Sequence, residues 1–260
     1  MKKKQIAFCI ADERNLPYAQ KMINSLRKFH IEEELPVRLI TGEELKKYLK
    51  TDEQFFYRAT PIIGSELIKD YDLALKLDAD QIITGDLNHV LNDVSYDLGT
   101  VLNFNRTDYK TYGPITTYNI DCSKYMNCGF VAMRNPVFVE HWKKLCYTPE
   151  LFGTLQYREQ DIMNILYYYG NYKTRCFDCP DMLTGEAYWG GLISYGEWLK
   201  IKLDNDKLIL PKSDDGYPTQ DVVIKALHWA HGNVADKLNY RIGFNEEVIK
   251  RLDYLTGESI

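Results

Sequence analysis

Apolar residues run almost unbroken through "QIAFCIA" near the start of the chain and give way to a polar loop from about Asp12. Beyond it Ala19, Met22, Ile23 and Leu26 recur at helical spacing, so the pattern predicts a strand, a loop and an amphipathic helix. "PVRLIT" predicts a second strand and "GEELKKYLK" a helical segment. A longer helix around Ile62 to Ile68 leads into a third strand from Leu73 to Leu77. Strands alternating with helices in this way predict an α/β fold with a mostly parallel central sheet.

The second half is less regular. "DLGTVLNF" and "CGFVAMR" predict strands, "NPVFVEHWKKLC" and the stretch from about Arg158 to Tyr169 predict helices, and "DVVIKALHWA" predicts a late strand. "NEEVIKRLDYLTG" closes the chain as an amphipathic helix that either caps the domain or meets a partner. With no internal repeat, low-complexity segment or linker in view, 260 residues predict one domain, its second half completing a site begun by the first.

The apolar pattern breaks most sharply at Asp78-Ala79-Asp80, where the third strand ends in two carboxylates. Side chains alternate along a strand, so Asp78 and Asp80 face the same way and can reach one cation. Such an oxygen-rich pair suits Mn²⁺ or Mg²⁺, although the same spacing also occurs in surface turns. Ligands of open α/β sheets bind at the carboxyl ends of the strands, which is where both the Ala11-Asp12 loop and the aspartate pair fall. "VVIKALHWAHGN" delivers His228 and His231 at the end of an apolar run, and an imidazole beside two carboxylates moves the preference toward Mn²⁺.

Composition narrows the class. Lys plus Arg number 32 against 37 Asp plus Glu, a net charge of −5, which argues against broad nucleic-acid binding. No apolar run approaches the roughly 20 residues of a membrane span. "MKKK" followed by a short strand does not read as a cleavable leader, so a cytoplasmic protein with reduced thiols at Cys9, Cys122, Cys128, Cys146, Cys176 and Cys179 is expected. Cys176-Phe-Asp-Cys179 has half of a zinc spacing, with no second half to complete it. The tyrosines clustered in "LYYYGNY" read mainly as amphipathic packing, a few of them as a platform for a flat ligand.

In order along the chain, "YRATPIIGSELIKDYDLALKLDADQIITGDL", "YMNCGFVAMRN", "REQDIMN" and "LHWAHGN" with a later Lys237 resemble the retaining nucleotide-sugar glycosyltransferases of family 8. The resemblance runs from Ile6 to about Lys237 and is most specific at the aspartate motif with its upstream Arg58. It implies a single Rossmann-like GT-A domain over residues 1–260. Residues 1–100 would form the nucleotide-binding half ending in the aspartate motif, 101–240 the sugar and acceptor half, and 241–260 a C-terminal helix.

By the same resemblance Asp78 and Asp80 would hold Mn²⁺ (or Mg²⁺) and through it the donor diphosphate, with Ala79 beside them. Ala11 and Asp12 would contact nucleobase and ribose, though a short acid after a strand is equally a turn former or helix cap. Arg58 would lie near the diphosphate and sugar, or else pair with a surface acid. Asn127 and Cys128, with Gly129, match a segment lying against the sugar, or a tight strand in which the glycine serves packing.

Two motifs depart from the family pattern. In "REQD" Glu159 stands where an aspartate is usual, beside Gln160, whose amide oxygen would face the anomeric carbon, and Asp161. The histidine motif of the family reads H-x-x-G-x-x-K-P-W, whereas here His228-Trp-Ala-His231-Gly232 precedes Lys237 with no Pro-Trp. His228 is the first choice for the third metal ligand and His231 the alternative.

What the resemblance implies is metal-dependent, retaining transfer of a hexose, glucose or galactose foremost, from a UDP-sugar to an acceptor hydroxyl on a glycan, a lipid-linked sugar or a protein. Same-face attack, with the leaving phosphate taking the acceptor proton, needs no carboxylate nucleophile of the glycosidase kind. The alternatives are a catalytically silent nucleotide-sugar-binding protein and a haloacid-dehalogenase-like phosphatase, whose aspartate motif normally opens its domain.

Overall fold

In the computed structural model, β1 (Gln5–Ala11) lies between β2 (Val37–Thr41) and β3 (Leu73–Leu77), parallel to both. The structure describes residues 4–48, 58–103, 120, 125–153, 155, 157–177, 186–187, 200–214, 218–228 and 243–258. Beyond β3 the sheet continues through β6 (Met126–Met133), β5 (Leu98–Leu102) and β7 (Thr174–Cys176), giving the order β2-β1-β3-β6-β5-β7. β6 is antiparallel to β3 and to β5, while β5 and β7 are parallel. The sheet is therefore mixed: parallel at β2-β1-β3, as the alternating pattern predicts, with one reversed strand in its middle.

Alternation along β1 sends its side chains into two different cores. Ile6, Phe8 and Ile10 pack with α3 (Ala59–Leu67), α5 (Pro136–Cys146) and α7 (Glu159–Tyr169). Ala7, Cys9 and Ala11 pack with α1 (Leu16–Arg27) and α4 (Asn88–Asn92) on the opposite face. A strand buried on both sides has no polar face, which is why "IAFCIA" reads as one apolar run. The predicted stripe on α1 is observed: Ala19, Met22 and Leu26 are fully buried and Ile23 packs on the core edge. α5 begins with Pro136, and the Asn135 side chain accepts a 2.8 Å hydrogen bond from Val137 N, a helix start that "NP" announces.

A four-stranded second sheet has the order β8 (Glu186–Ala187), β11 (Val222–Ile224), β10 (Lys207–Leu210) and β9 (Lys202–Asp204). Asn205 and Asp206, at φ 46° and 65°, turn β9 into β10, the backbone that a two-residue hairpin of this hand requires. α8 (Glu246–Thr256) buries Val248, Leu252 and Leu255 in the core under this sheet, so the closing helix caps the molecule. Two short segments, α2 (Gly42–Tyr48) and α6 (Pro149–Phe152), complete the eight helices among the described residues.

One expected element divides. "DVVIKALHWA" forms β11 and then β12 (Ala226–His228), which leaves the second sheet to pair antiparallel with β4 (Gln81–Ile83). Lys225 is the break. Its N–H donates to Ala187 O at 2.7 Å and its carbonyl accepts from Thr84 N and Gly85 N at 2.9 and 3.2 Å. Its ammonium reaches Asp86 at 2.7 Å and Glu186 at 3.3 Å. The backbone groups of one residue thus serve both sides of the crossing, and the apolar run continues through a change of partner.

Tyr167, Tyr168 and Tyr172 pack against the main core, in line with the packing reading of "LYYYGNY". Among the described residues no helix is long and apolar enough to cross a membrane. Cys9, Cys128 and Cys146 are buried thiols, while Cys122 and Cys179, and with Cys179 the half zinc spacing, lie outside the described residues.

Candidate metal and donor site

Asp78, Ala79 and Asp80 form the turn between β3 and β4 at the carboxyl end of β3. Because β4 pairs with β12 in a register that sets Gln81 opposite His228, the imidazole is delivered beside the two acids. His228 Nε2 lies 3.1 Å from Asp80 Oδ1 and 3.5 Å from Asp78 Oδ2. One ligand atom from each of the three lies within 4.8 Å of the others. Asp80 and His228 are buried and Asp78 is about one-third exposed, so the group opens to solvent on the Asp78 side.

Gly129, on β6, makes room for this group. A Cβ there would sit 2.6 Å from Asp78 Oδ2 and against His228 Cε1. Two carboxylate oxygens and an imidazole nitrogen suit Mn²⁺ or Mg²⁺, and the cleared space at Gly129 is consistent with a group held for such a use. Burial alone would lower the His228 pKa, but Asp80 and Asp78 outweigh it and raise it to about 9. Partial burial works to raise the Asp78 pKa, yet Lys76 and His228 hold it below the usual carboxylate range. The imidazolium and the carboxylates answer one another's charge.

Lys76 is a site residue that motif matching overlooks. It sits two positions before Asp78 on β3, pairs with Asp78 Oδ1, and donates to Cys128 O at 2.7 Å. The available signal is a lone lysine inside "LALKL", placed by alternation on the side of Asp78 and Asp80.

The Asn127-Cys128-Gly129 segment links the aspartates to α7. Asn127 Oδ1 accepts from Gly129 N at 2.6 Å, and its amide donates to Asn103 at 3.0 Å. Gly129 O accepts from Asp78 N at 2.9 Å and from the Gln81 side chain at 3.1 Å. Cys128 N donates to Gln160 Oε1 at 2.8 Å, so the amide oxygen expected to face a sugar is held by backbone. Asn164, fully buried, accepts from Met126 N at 2.6 Å and donates to Met126 O and Gln160 O at 2.9 and 2.8 Å. Asn164→Ala strips β6 of these bonds and orphans buried backbone groups; a loss of about 2–4 kcal/mol in urea denaturation is expected.

Glu159 turns inward. Its Oε1 accepts a 2.8 Å hydrogen bond from Thr60 on α3, its Oε2 is buried with no hydrogen-bond partner among the described residues, and its own carbonyl receives Trp142 Nε1 at 2.9 Å. Burial is the largest influence and pushes its pKa up to about 8, against the opposing pull of Lys76 and Thr60. The unfolded carboxyl ionises near pH 4.5, so the folded form binds the extra proton between there and about 8, and stability falls as pH rises across that window. Glu159→Gln mimics the protonated group. Its stability relative to wild type is expected to improve by roughly 3–4 kcal/mol from pH 5 to pH 8, read from paired melting curves; a pH-independent difference would contradict the assignment. Arg158, just before it, has φ 50°, a sparsely populated backbone state for a non-glycine residue at the threshold of α7.

The remaining expected residues are dispersed. Asp161 is buried and accepts from Tyr125 OH and Tyr157 N, both at 2.6 Å, which anchors the first turn of α7. Ala11 is fully buried at the end of β1, whose register with β3 brings it to the same sheet end as the aspartates. Asp12 accepts from Asn15 N and Asn15 Nδ2 at 3.0 and 2.6 Å and pairs with Arg14, the turn-forming arrangement. Arg58 opens α3 with its guanidinium 5.4 Å from the centroid of the Tyr147 ring. His231 and Lys237 lie outside the described residues.

No family model and no curated protein matches the chain. Solved structures do. The chain superposes on the galactosyltransferase LgtC, solved with donor and acceptor sugar analogues, at a TM-score of 0.58 and 14% identity, covering 97% of this chain and 95% of that one. The bifunctional glycosyltransferase WbbM gives 0.57 and 12%; 98% of this chain is covered but only 52% of WbbM, so the chain spans about half the length of that protein. A glycosyltransferase involved in glycosylating the major capsid of PBCV-1 gives 0.53 and 12%, with 90% and 96% covered. At these identities the likeness establishes a fold, that of the GT-A glycosyltransferases.

Proposed function

We propose that the chain is a metal-dependent glycosyltransferase that moves a hexose, glucose or galactose, from a UDP-sugar to an acceptor hydroxyl with retention at the anomeric carbon. The observation that carries this reading is the convergence of Asp78, Asp80 and His228 within 4.8 Å at the carboxyl end of the parallel strands, where open α/β sheets take nucleotides. The fold shared with LgtC, described as a galactosyltransferase with donor and acceptor sugar analogues, supports the same direction.

Asp78, Asp80 and His228 would hold Mn²⁺ or Mg²⁺, which supplies Lewis-acid assistance to the departing diphosphate. The rest falls to the chain. Ala11 and Asp12 would border the nucleobase and ribose, a reading supported by their position at the end of the strand neighbouring β3. Asn127 and Cys128, adjoining the triad through Gly129, border the sugar, and Gln160 is drawn to the same place by its bond to Cys128 N. By the sequence resemblance Arg58 lies near the diphosphate and sugar, and Lys237 belongs to the donor-binding set. The acceptor is a glycan, a lipid-linked sugar or a protein hydroxyl.

A second reading, nucleotide-sugar binding without turnover, is favoured by one observation: Glu159 and the Gln160 oxygen are both engaged in internal hydrogen bonds. One experiment separates the two. The protein is incubated with UDP-glucose, UDP-galactose, their N-acetyl counterparts or GDP-mannose, each with Mn²⁺, Mg²⁺ or chelator. Nucleotide release is followed together with the anomeric proton of the product. Metal-dependent UDP release with an α-configured sugar appearing first supports retaining transfer. Binding without release supports the silent reading, and no response to any donor removes both.

A further inference from the structure

The Lys76 side chain is 7% exposed, and its ammonium is held between Asp78 Oδ1 and the Cys128 carbonyl. The other oxygen of the same carboxylate, Oδ2, is the one that faces His228. One carboxylate of the triad is thus shared between a cation belonging to the protein and the place a dissolved cation would take. Its neighbours Leu73, Ala74, Leu75 and Leu77 are fully buried apolar residues, and an apolar side chain at position 76 would fill the strand without desolvating a charge.

We propose that Lys76 is a built-in counter-cation that fixes Asp78 by one oxygen and keeps the triad from binding a divalent metal tightly until a diphosphate brings its own negative charge. The inference rests on the reading of the triad given above. Two carboxylates would neutralise a divalent ion between them. With part of that charge already answered by Lys76, the bound ion keeps a net positive charge, and the ammonium repels it at short range. Phosphate oxygens supply the missing charge, so metal and nucleotide bind with positive coupling, and each raises the affinity of the other by the same factor. The Cys128 peptide joins this arrangement to α7, its carbonyl on Lys76 and its N–H on Gln160 Oε1.

The test is a Mn²⁺ titration, followed by electron paramagnetic resonance, of wild type, Lys76→Met and Lys76→Gln, each without nucleotide and with saturating UDP. Wild type is expected to bind Mn²⁺ alone weakly and with UDP on the order of 100-fold more tightly. Lys76→Met is expected to bind Mn²⁺ alone on the order of 10-fold to 100-fold more tightly than wild type, and to show a smaller effect of UDP. A gain of affinity cannot come from mere damage to packing, which separates a positioning role from a structural one. Lys76→Gln keeps a hydrogen bond to the Cys128 carbonyl, so it carries the comparison if the methionine variant does not fold. Unchanged Mn²⁺ affinity in a folded variant overturns the proposal, as does wild type binding Mn²⁺ equally well with and without UDP, a result that needs no variant. If wild type takes up no Mn²⁺ even with UDP, the triad reading itself falls and takes this inference with it.

Discussion

Asp80→Asn is expected to abolish Mn²⁺-dependent binding of UDP while leaving the fold intact. Asp80 is 6% exposed, lies 3.1 Å from His228 Nε2, and is the leading cause of the raised imidazole pKa. An amide of the same shape removes one unit of negative charge from a three-ligand group. Loss of a partner that merely orients a ligand already costs about 10- to 100-fold in metal affinity, so loss of a ligand charge should cost at least about 100-fold. The same change carries a pH signature in the metal-free protein. His228 titrates near 6.5 when unfolded and about 9 when folded, so its pairing stabilises fully below pH 6.5 and is lost as pH rises through 9. The variant should melt lower than wild type near neutral pH and approach it in alkali. Thermal shift with UDP and Mn²⁺ reads the first effect, and melting against pH with chelator reads the second. An undiminished Mn²⁺-dependent shift in Asp80→Asn would sink the metal assignment.

Gly129→Ala is expected to have the next largest effect, and for reasons of space. Gly129 is not among the positive-φ glycines, so its backbone accepts alanine. The added Cβ, however, would stand 2.6 Å from Asp78 Oδ2 and 2.7 Å from Asn127 Oδ1, with His228 Cε1 pressed against it. None of these is the loose end of a long side chain. Asn127 Oδ1 is tied to Gly129 N, and Asp78 is tied to Lys76 and, through its own N–H, to Gly129 O. Overpacking of this kind costs about 1–3 kcal/mol. Its geometric consequence is larger, because the triad must open to admit the methyl. Loss of Mn²⁺-dependent UDP binding greater than the loss of stability is therefore expected, measured by urea denaturation beside a UDP titration. A variant that folds and binds as wild type would show that Gly129 serves strand packing alone.

Where the physics is local, the sequence was readable. The run "IAFCIA", the stripe Ala19-Met22-Leu26 and the abrupt Asp78-Ala79-Asp80 ending each declare an element and its face within a few residues. Likewise "NP" before Val137 and the Gly257 that follows α8 at φ 77° mark helix limits through chemistry that needs no distant partner. What stayed hidden depends on pairing across the chain. That His228 lies opposite Gln81 is a register between segments far apart in sequence, and the apolar run leading to it does not say which strand it will meet. The reversal of β6 and the crossing at Lys225 are of the same kind, since an apolar strand reads alike in either direction and on either sheet. Glu159 is legible only as the variant acid of the "REQD" motif; that its carboxyl turns inward onto Thr60 depends on a contact far away in sequence. Lys76 was legible in principle, because a charge within an apolar strand calls for a partner and alternation points to Asp78.

The central claim is that Asp78, Asp80 and His228 join a nucleoside diphosphate to the protein through a divalent cation. Calorimetric titration of UDP into the wild-type protein, first with Mn²⁺ and then with chelator, tests it most directly. Saturable one-to-one binding that needs Mn²⁺ and disappears with chelator is the predicted result. UDP binding of equal strength in chelator, or none in either condition, would contradict it.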